Sequence, residues 1–395
     1  MDLATFEQLS GDEGRELMEA ASMAYADHAG DPVAAASSLA RTSTATPALR
    51  SAALTQVGLR VRAVAKFGDE ALRLWFTSDA LEQATRSRVA AHRAARIALS
   101  EPRSVIDLGC GIGGDLMALA RAGVVAAGVD SDPLRVAIAR ANLAALGLDG
   151  AVAVADAVTV DRAPFDLAFA DPARRSGAGR RFRPDDWTPS WSFVEELLAA
   201  RAVVKVAPGI PHDLVPEGVE AEWVSDDGGL KEASLWSPGL ASCRRRATVI
   251  GGGGLATLTD EDDPWQDRER PVRGLGQFLY EPDDAVIRAG LVTAVAAGVD
   301  GGLLDAKIAW VTADAAYRTP FARSYRVVEE LPCREKLLRA ALRERDIGRL
   351  AIKTRGVDVT PETLRKRLAL RGDAEGTLVL TRVIGAGTAL LVEPF

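Results

Sequence analysis

Cysteine and histidine are scarce in this chain of 395 residues. Cys110, Cys243 and Cys333 stand far apart with no CxxC pair, and His28, His92 and His212 are equally scattered. A disulfide framework is thereby excluded, and these residues assemble no structural zinc site, so no metal is expected. Aromatic residues make up only 5% of the chain. No apolar run approaches the roughly 18 uncharged residues of a membrane span, so no membrane partner is expected. The opening Met1-Asp2-Leu3-Ala4-Thr5-Phe6-Glu7 lacks a basic stretch followed by an apolar core and does not read as a signal peptide. The expected location is the cytoplasm. A general excess of positive charge is also missing. The net charge is −7 and the pI about 5.3, which argues against a protein that coats nucleic acid by charge alone.

What is present is the balance of a globular protein, 48% hydrophobic and 26% charged, which excludes wholesale disorder. At roughly 150 residues per domain the length suggests two or three domains. The charge is unevenly distributed. Between Phe321 and Arg371, fourteen cations stand against seven anions, leaving +7 on an acidic chain.

Residues 1–100 read as a helical domain, with apolar residues at three- and four-residue spacing through Ala53-Leu54-Val57-Val61-Val64. Thr77-Ser78-Asp79 reads as a capped helix start, and one helix is expected from there to about Leu99. From Ser104 the pattern changes to short apolar runs alternating with helices. Strands are expected at 105–108, 124–130, 151–155, 165–170 and 202–206, with helices at 115–121, 133–146 and 195–200. This βαβα rhythm predicts a parallel sheet with helices on both faces, in a domain spanning residues 101–258. Residues 259–271 are acidic, carry two prolines and read as a linker. Residues 272–395 read as a small α+β domain, with helices at 284–297, 334–344 and 361–370 and strands at 349–353, 377–382 and 389–392.

The sharpest feature is Val105-Ile106-Asp107-Leu108-Gly109-Cys110-Gly111-Ile112-Gly113-Gly114. Glycines let a backbone approach a ligand where any Cβ would clash. Gly109, Gly111 and Gly114 satisfy the GxGxxG spacing, a pattern that alone does not separate dinucleotides from other nucleoside cofactors. Asp107 stands two positions before the first glycine, where dinucleotide-binding strands usually continue apolar. Asp130 ends the second strand, where a carboxylate can take ribose hydroxyls. Asp156 ends the third, within reach of an adenine edge, and Asp171-Pro172-Ala173-Arg174-Arg175 ends the fourth.

With these residues the chain resembles class I S-adenosylmethionine-dependent methyltransferases over about residues 77–250. Within that class it is most similar to the group related to trimethylguanosine synthase and to bacterial methyltransferases with a THUMP-like C-terminal domain. Leu81-Glu82-Gln83-Ala84-Thr85, Asp171-Pro172-Ala173-Arg174-Arg175 and Lys231-Glu232-Ala233-Ser234-Leu235-Trp236 carry that likeness. Lys353-Thr354-Arg355-Gly356-Val357-Asp358-Val359 and Leu364-Arg365-Lys366-Arg367-Leu368 extend it into the last domain. The resemblance implies a Rossmann-like α/β catalytic domain, an N-terminal helical domain and a THUMP-like α+β module. It implies S-adenosyl-L-methionine as cofactor, with Asp107, Gly109, Gly111 and Gly113 around the methionine moiety. Asp130 is then on the ribose, Asp156 near the adenine, and Gln83 or Thr85 closes over the cofactor.

Enzymes that methylate exocyclic amines typically carry (D/N/S)PP followed by an aromatic at the fourth-strand end. Asp171 and Pro172 match that pattern, whereas Ala173 and Arg174 depart from it. Asp171, the Pro172 backbone and Arg174 are the catalytic candidates. Arg174, Arg175, Arg180 and Arg181 form a basic loop suited to a polyanion, with Trp187 and Trp191 next in line as packing or base-stacking residues. Arg244-Arg245-Arg246 read as the solvated start of a strand, and Gly251-Gly252-Gly253-Gly254 as a turn between two strands. Glu232 reads equally as facing the pocket or as a salt-bridged surface residue. Cys110 reads as a small packing residue. The expectation is an S-adenosylmethionine-dependent methyltransferase acting on an RNA base. A non-catalytic RNA-binding protein that retains the cofactor, and a small-molecule or protein methyltransferase, are the alternatives.

Overall fold

The computed structural model describes residues 1–174, 187–265 and 271–395, with backbone only at 173, 174, 187 and 188. The expected substrate residues Arg175, Arg180 and Arg181 lie outside the described residues. The chain divides into two compact units, Met1–Val206 with Leu235–Leu240 and Ala207–Ser234 with Ala241–Phe395.

The first unit opens with helices α1 (Leu3–Ser10), α2 (Asp12–Asp27), α3 (Pro32–Thr42) and α4 (Pro47–Phe67). Their boundaries follow from local chemistry. Asp31 and Thr46 accept hydrogen bonds from the first turns of α3 and α4, and Pro32 and Pro47 fill the first helical position, where no N–H is needed. Leu9, Leu17, Leu39 and Val57 bury their faces together. Two short helices follow, α5 (Ser78–Gln83) and α6 (Ser87–Leu99). The single helix expected from Thr77 to Leu99 is therefore broken. Thr77 caps it as the sequence indicates, but Ala84 turns to ψ 136°. Lys66 Nζ takes the carbonyls of Leu81, Glu82 and Ala84 at 2.7–3.0 Å and so satisfies the freed end of α5.

Then come β1 (Val105–Leu108), α7 (Gly114–Arg121), β2 (Ala126–Asp130), α8 (Pro133–Leu146), β3 (Ala151–Val154) and β4 (Leu167–Ala170). The two-residue strands β5 (Ala173–Arg174) and β6 (Trp187–Thr188) pair with each other, and α9 (Trp191–Leu198) and β7 (Ala202–Val206) complete the run. These strands lie in the order β7-β4-β1-β2-β3 within a nine-stranded sheet, with β1–β2, β2–β3, β1–β4 and β4–β7 all parallel. This is the expected Rossmann-like α/β domain. Chain direction across the sheet reverses between β1 and β4, so a crevice opens beyond their carboxyl ends. Helices and strands share a core that includes Leu116, Val136, Ile138, Phe169 and Val203. Trp191 belongs to the packing, 8% exposed with its Nε1 donating to Glu195 at 3.1 Å.

The second unit contains β8 (Glu220–Asp226), most of β9 (Gly229–Trp236), β10 (Arg245–Gly251) and β11 (Gly254–Thr259). The four-glycine stretch is the expected turn between β10 and β11. Arg246 is not solvated. It pairs with the buried Glu220 at 2.8 Å, and Arg244 pairs with Asp260. Glu232 is 3% exposed, within β9.

A seven-stranded sheet follows, built from β12 (Phe278–Pro282), β13 (Gly302–Asp305), β14 (Ile308–Ala313), β15 (Ala322–Leu331), β16 (Ile347–Thr354), β17 (Ala374–Val383) and β18 (Ala386–Pro394). Its order is β13-β14-β12-β15-β18-β17-β16. Helices α10 (Asp284–Ala289), α11 (Val292–Gly298), α12 (Glu335–Glu344) and α13 (Pro361–Leu368) accompany it. The helix expected over 284–297 is two helices, because Gly290 adopts φ +72° and ends the first. In α12 and α13, Leu338, Leu342, Leu364 and Leu368 turn into a core with β16–β18. Six of the fourteen cations between Phe321 and Arg371 are held in ion pairs, Arg326 with Glu393 among them. Arg339 and Arg367 pair with Glu335, Arg345 with Glu329, Arg349 with Glu375, and Lys353 with Glu281.

Candidate active site

A cavity of about 470 Å³ lies at the carboxyl ends of β1, β2 and β4. Gln83, Thr85, Asp107, Gly109, Gly111, Asp130, Asp156, Asp171 and Pro172 all line it. Gly113, expected with them, is absent from the lining, and Gly114 is present. The reason is packing. Gly113 has φ +84°, and a Cβ there would sit 3.3 Å from that of Ala139 on α8. Gly109 and Gly111, at φ +85° and +55°, have no heavy atom within 4 Å of an added Cβ, so both present bare backbone to open space. Cys110 between them is buried, and burial followed by the charges of Asp107 and Asp130 pushes its thiol well up, so it is not a nucleophile.

Asp107 is 2% exposed, between Gly128 of β2 and Phe169 of β4, and its Oδ2 has no hydrogen-bond partner among the described residues. Burial raises its carboxyl well above the ordinary carboxylate range. The charges of Asp115, Asp171 and Asp130 push it further, against Arg93. An unpaired buried carboxylate oxygen beside a cavity is costly and calls for a cationic or hydrogen-bond-donating ligand. Asp130 is better satisfied, accepting from the backbone N–H of Gly111 at 3.0 Å and of Asp132 at 2.9 Å. Asp156 is exposed and accepts from the Val158 N–H at 2.8 Å. Gln83 is exposed at the end of α5.

Thr85 sits in the break between α5 and α6 at the start of a polar chain. Its Oγ1 donates to Asp115 Oδ2 at 3.2 Å and accepts from Lys205 Nζ at 3.1 Å. Lys205 Nζ lies 2.6 Å from Asp171 Oδ2. Asp115 in turn pairs with Arg93 at 2.8 Å, with the Arg93 side chain 3% exposed and its guanidinium 4.8 Å from the centre of the Phe169 ring. Sequence reading missed Lys66, Arg93, Asp115 and Lys205. Lys205 carried a signal, as the single charge in Ala202-Val203-Val204-Lys205-Val206. Five acids (Asp107, Asp115, Asp130, Asp156 and Asp171) meet three cations (Arg93, Arg135 and Lys205) here among the described residues, an electronegative site. No metal-holding group of His, Cys, Asp or Glu occurs among the described residues.

A methyltransferase-domain profile matches residues 105–174, a THUMP domain-like profile matches 322–394, and a domain of unknown function matches 2–63. An uncharacterised S-adenosylmethionine-dependent methyltransferase of Mycobacterium tuberculosis strain H37Rv is 41% identical over 345 residues, covering 84% of this chain and 92% of that protein. The chain belongs to the S-adenosylmethionine-dependent methyltransferases. The same identity and coverage hold for the strain CDC 1551 protein. The fold of this methyltransferase is shared with a Porphyromonas gingivalis W83 protein classed among the methyltransferases. That crystal structure has a TM-score of 0.76 at 22% identity, covering 96% of this chain and 98% of the other. The cofactor of the methyltransferase is S-adenosyl-L-methionine. The site suits it, because a ligand with an ammonium and a sulfonium against one carboxylate complements a net-negative cavity, and the bare backbone at Gly109 and Gly111 admits close approach. No helix among the described residues is long and apolar enough to cross a membrane.

Proposed function

We propose that this methyltransferase modifies RNA at a base, and that the cavity residues divide the work as follows. Asp107 and the backbone at Gly109 and Gly111 take the amino-acid end of the cofactor, Asp130 the ribose hydroxyls, and Asp156 the adenine edge, with Gln83 and Thr85 closing the near side. Bound there, the cofactor supplies a methyl group on a sulfonium. Methyl transfer is an in-line displacement, so the protein's contribution is alignment of the acceptor and exclusion of water.

Asp171 is the group for alignment. Lys205 occupies its Oδ2, which leaves Oδ1 and the Pro172 carbonyl to accept hydrogen bonds from an amine. Thr85 and Asp115 fix Lys205 and Arg93 in turn, so Asp171 is held by a buried chain rather than by solvent. Arg174 follows in sequence, with Arg175, Arg180 and Arg181 after it, as cations for phosphate.

The observation that carries RNA over other acceptors is the presence, in one chain, of this cavity and a THUMP domain-like module at 322–394. The working partition is a helical domain at 1–100, the catalytic domain at 101–258 and the THUMP-like module at 272–395. Mass spectrometry of modified nucleosides in total RNA from a deletion strain and its parent tests the proposal. One methylated nucleoside should be lost in the deletion strain and return with the wild-type gene. Unchanged nucleosides, with label from S-adenosylmethionine appearing in protein or small molecules, would reject RNA as substrate.

A further inference from the structure

Among the described residues, acids outnumber cations at the active-site cavity. A polyanionic substrate of this chain therefore needs cations elsewhere. Many arginines of the second unit are already spent on ion pairs, among them Arg326 with Glu393, Arg345 with Glu329 and Arg349 with Glu375. Four are not. Arg288, Arg318, Arg323 and Arg355 have no carboxylate within ion-pair distance among the described residues, and all four line cavities of that unit.

The cavities adjoin. Arg355 and Asp284 line both a cavity of about 220 Å³ and one of about 520 Å³, and Arg323 and Ala322 line both the former and one of about 400 Å³. Together they form one groove. Arg323 is seated within it. A Cβ on Gly228, which has φ +71°, would lie 2.8 Å from Arg323 Nη2, so the guanidinium rests on bare glycine backbone rather than on an acid. Arg355 is half-buried and donates from Nη1 to the Ala309 carbonyl at 3.4 Å, a neutral partner.

The acids of the groove do little to cancel these charges. Glu281 is taken by Lys353 at 2.5 Å, and Asp283 accepts from the Ala285 N–H at the start of α10. Of the groove's acids, Asp284 is exposed with no cation on it among the described residues. The ring of Phe395, a residue 43% exposed, lines one end.

We propose that this groove holds the phosphodiester backbone of single-stranded RNA, resting on the reading above that RNA is the substrate. Guanidinium forks match phosphate oxygens in pairs, and an exposed aromatic ring offers a base a stacking face.

The test is fluorescence anisotropy of a labelled, unstructured oligouridylate with the full-length protein over a range of salt. Each single-strand phosphate contact contributes a slope of about −0.7 to log K against log salt. Removing all four by Arg288→Gln, Arg318→Gln, Arg323→Gln and Arg355→Gln should flatten the slope by about 2.8. Extrapolated from 1 M, each single change should weaken binding about fivefold at 0.1 M salt. A control, Arg326→Gln with Arg349→Gln, removes two cations already paired and should leave the slope in place. Circular dichroism and the urea unfolding midpoint should be the same in all variants, which checks that the second unit is folded.

A quadruple variant that keeps the wild-type slope, or a control that loses as much per charge removed, overturns the groove and leaves RNA as substrate intact. Wild-type protein with no salt-dependent binding overturns both. Inorganic polyphosphate competing as well as the oligouridylate would overturn the assignment to RNA.

Discussion

Replacing Asp107 by asparagine should make the cofactor-free protein more stable while weakening its hold on S-adenosylmethionine. Asp107 is 2% exposed, its Oδ2 is unpartnered among the described residues, and three other carboxylates act on it. A buried, unsatisfied polar group costs about 1–3 kcal/mol, more when charged. The sign with pH follows from the raised carboxyl. The folded chain keeps a proton on Asp107 at pH values where the unfolded chain has lost it. The stability this contributes is fully present below the ordinary aspartate pKa and is lost as pH rises through the folded value. Asparagine does not titrate, so its advantage should be largest at alkaline pH and shrink on acidification. At about pH 8 the apo variant should melt a few degrees higher, from about 1–3 kcal/mol of relief. Affinity for the cofactor should fall by about 1.5–3 kcal/mol, roughly 10- to 150-fold, as a charged hydrogen-bond acceptor is lost. Differential scanning fluorimetry at two pH values, with calorimetry for the cofactor, measures both. A variant that melts at or below wild type at pH 8, or binds S-adenosylmethionine equally well, would refute the reasoning.

Three more outcomes test the rest of the site. Asp130→Ala should weaken cofactor binding by about 1.5–3 kcal/mol through lost bonds to the ribose hydroxyls, checked by calorimetry. Asp171→Ala should abolish methyl transfer while cofactor affinity stays within a few-fold, because its contact matters chiefly in the transition state. Retained turnover, followed as tritium from S-adenosylmethionine into RNA of a deletion strain, would remove it from the mechanism. Arg93→Met leaves Asp115 without its buried partner and should destabilise the first unit by about 3–5 kcal/mol, read from urea unfolding. A loss below about 1 kcal/mol would show that this pair behaves like an exposed one.

The sequence by itself determined the catalytic fold closely. Strands 105–108 and 202–206 and helix 133–146 lie where the apolar runs and Pro133 place them, because short buried strands and capped helices are written in local pattern. The glycine spacing and the strand-end acids also named Asp107, Gly109, Gly111, Asp130, Asp156 and Asp171, which line one cavity. Local pattern does not record which residue meets which across the fold. The break at Ala84 depends on Lys66, 15–18 residues away in sequence, satisfying the end of α5. Gly113 satisfies the motif yet serves helix packing, a distinction made only by Ala139 on α8. The chain from Arg93 through Asp115, Thr85 and Lys205 to Asp171 draws on five separate segments, each unremarkable alone. The local +7 of residues 321–371 likewise looked available for a polyanion. Folding holds six of its fourteen cations in ion pairs, with Glu281, Glu329, Glu335, Glu375 and Glu393, and among the described residues leaves four arginines without a carboxylate along one groove, two of them at 288 and 318, before that segment begins. Net charge is a sum over sequence, whereas available charge depends on which partners tertiary structure brings within ion-pair reach.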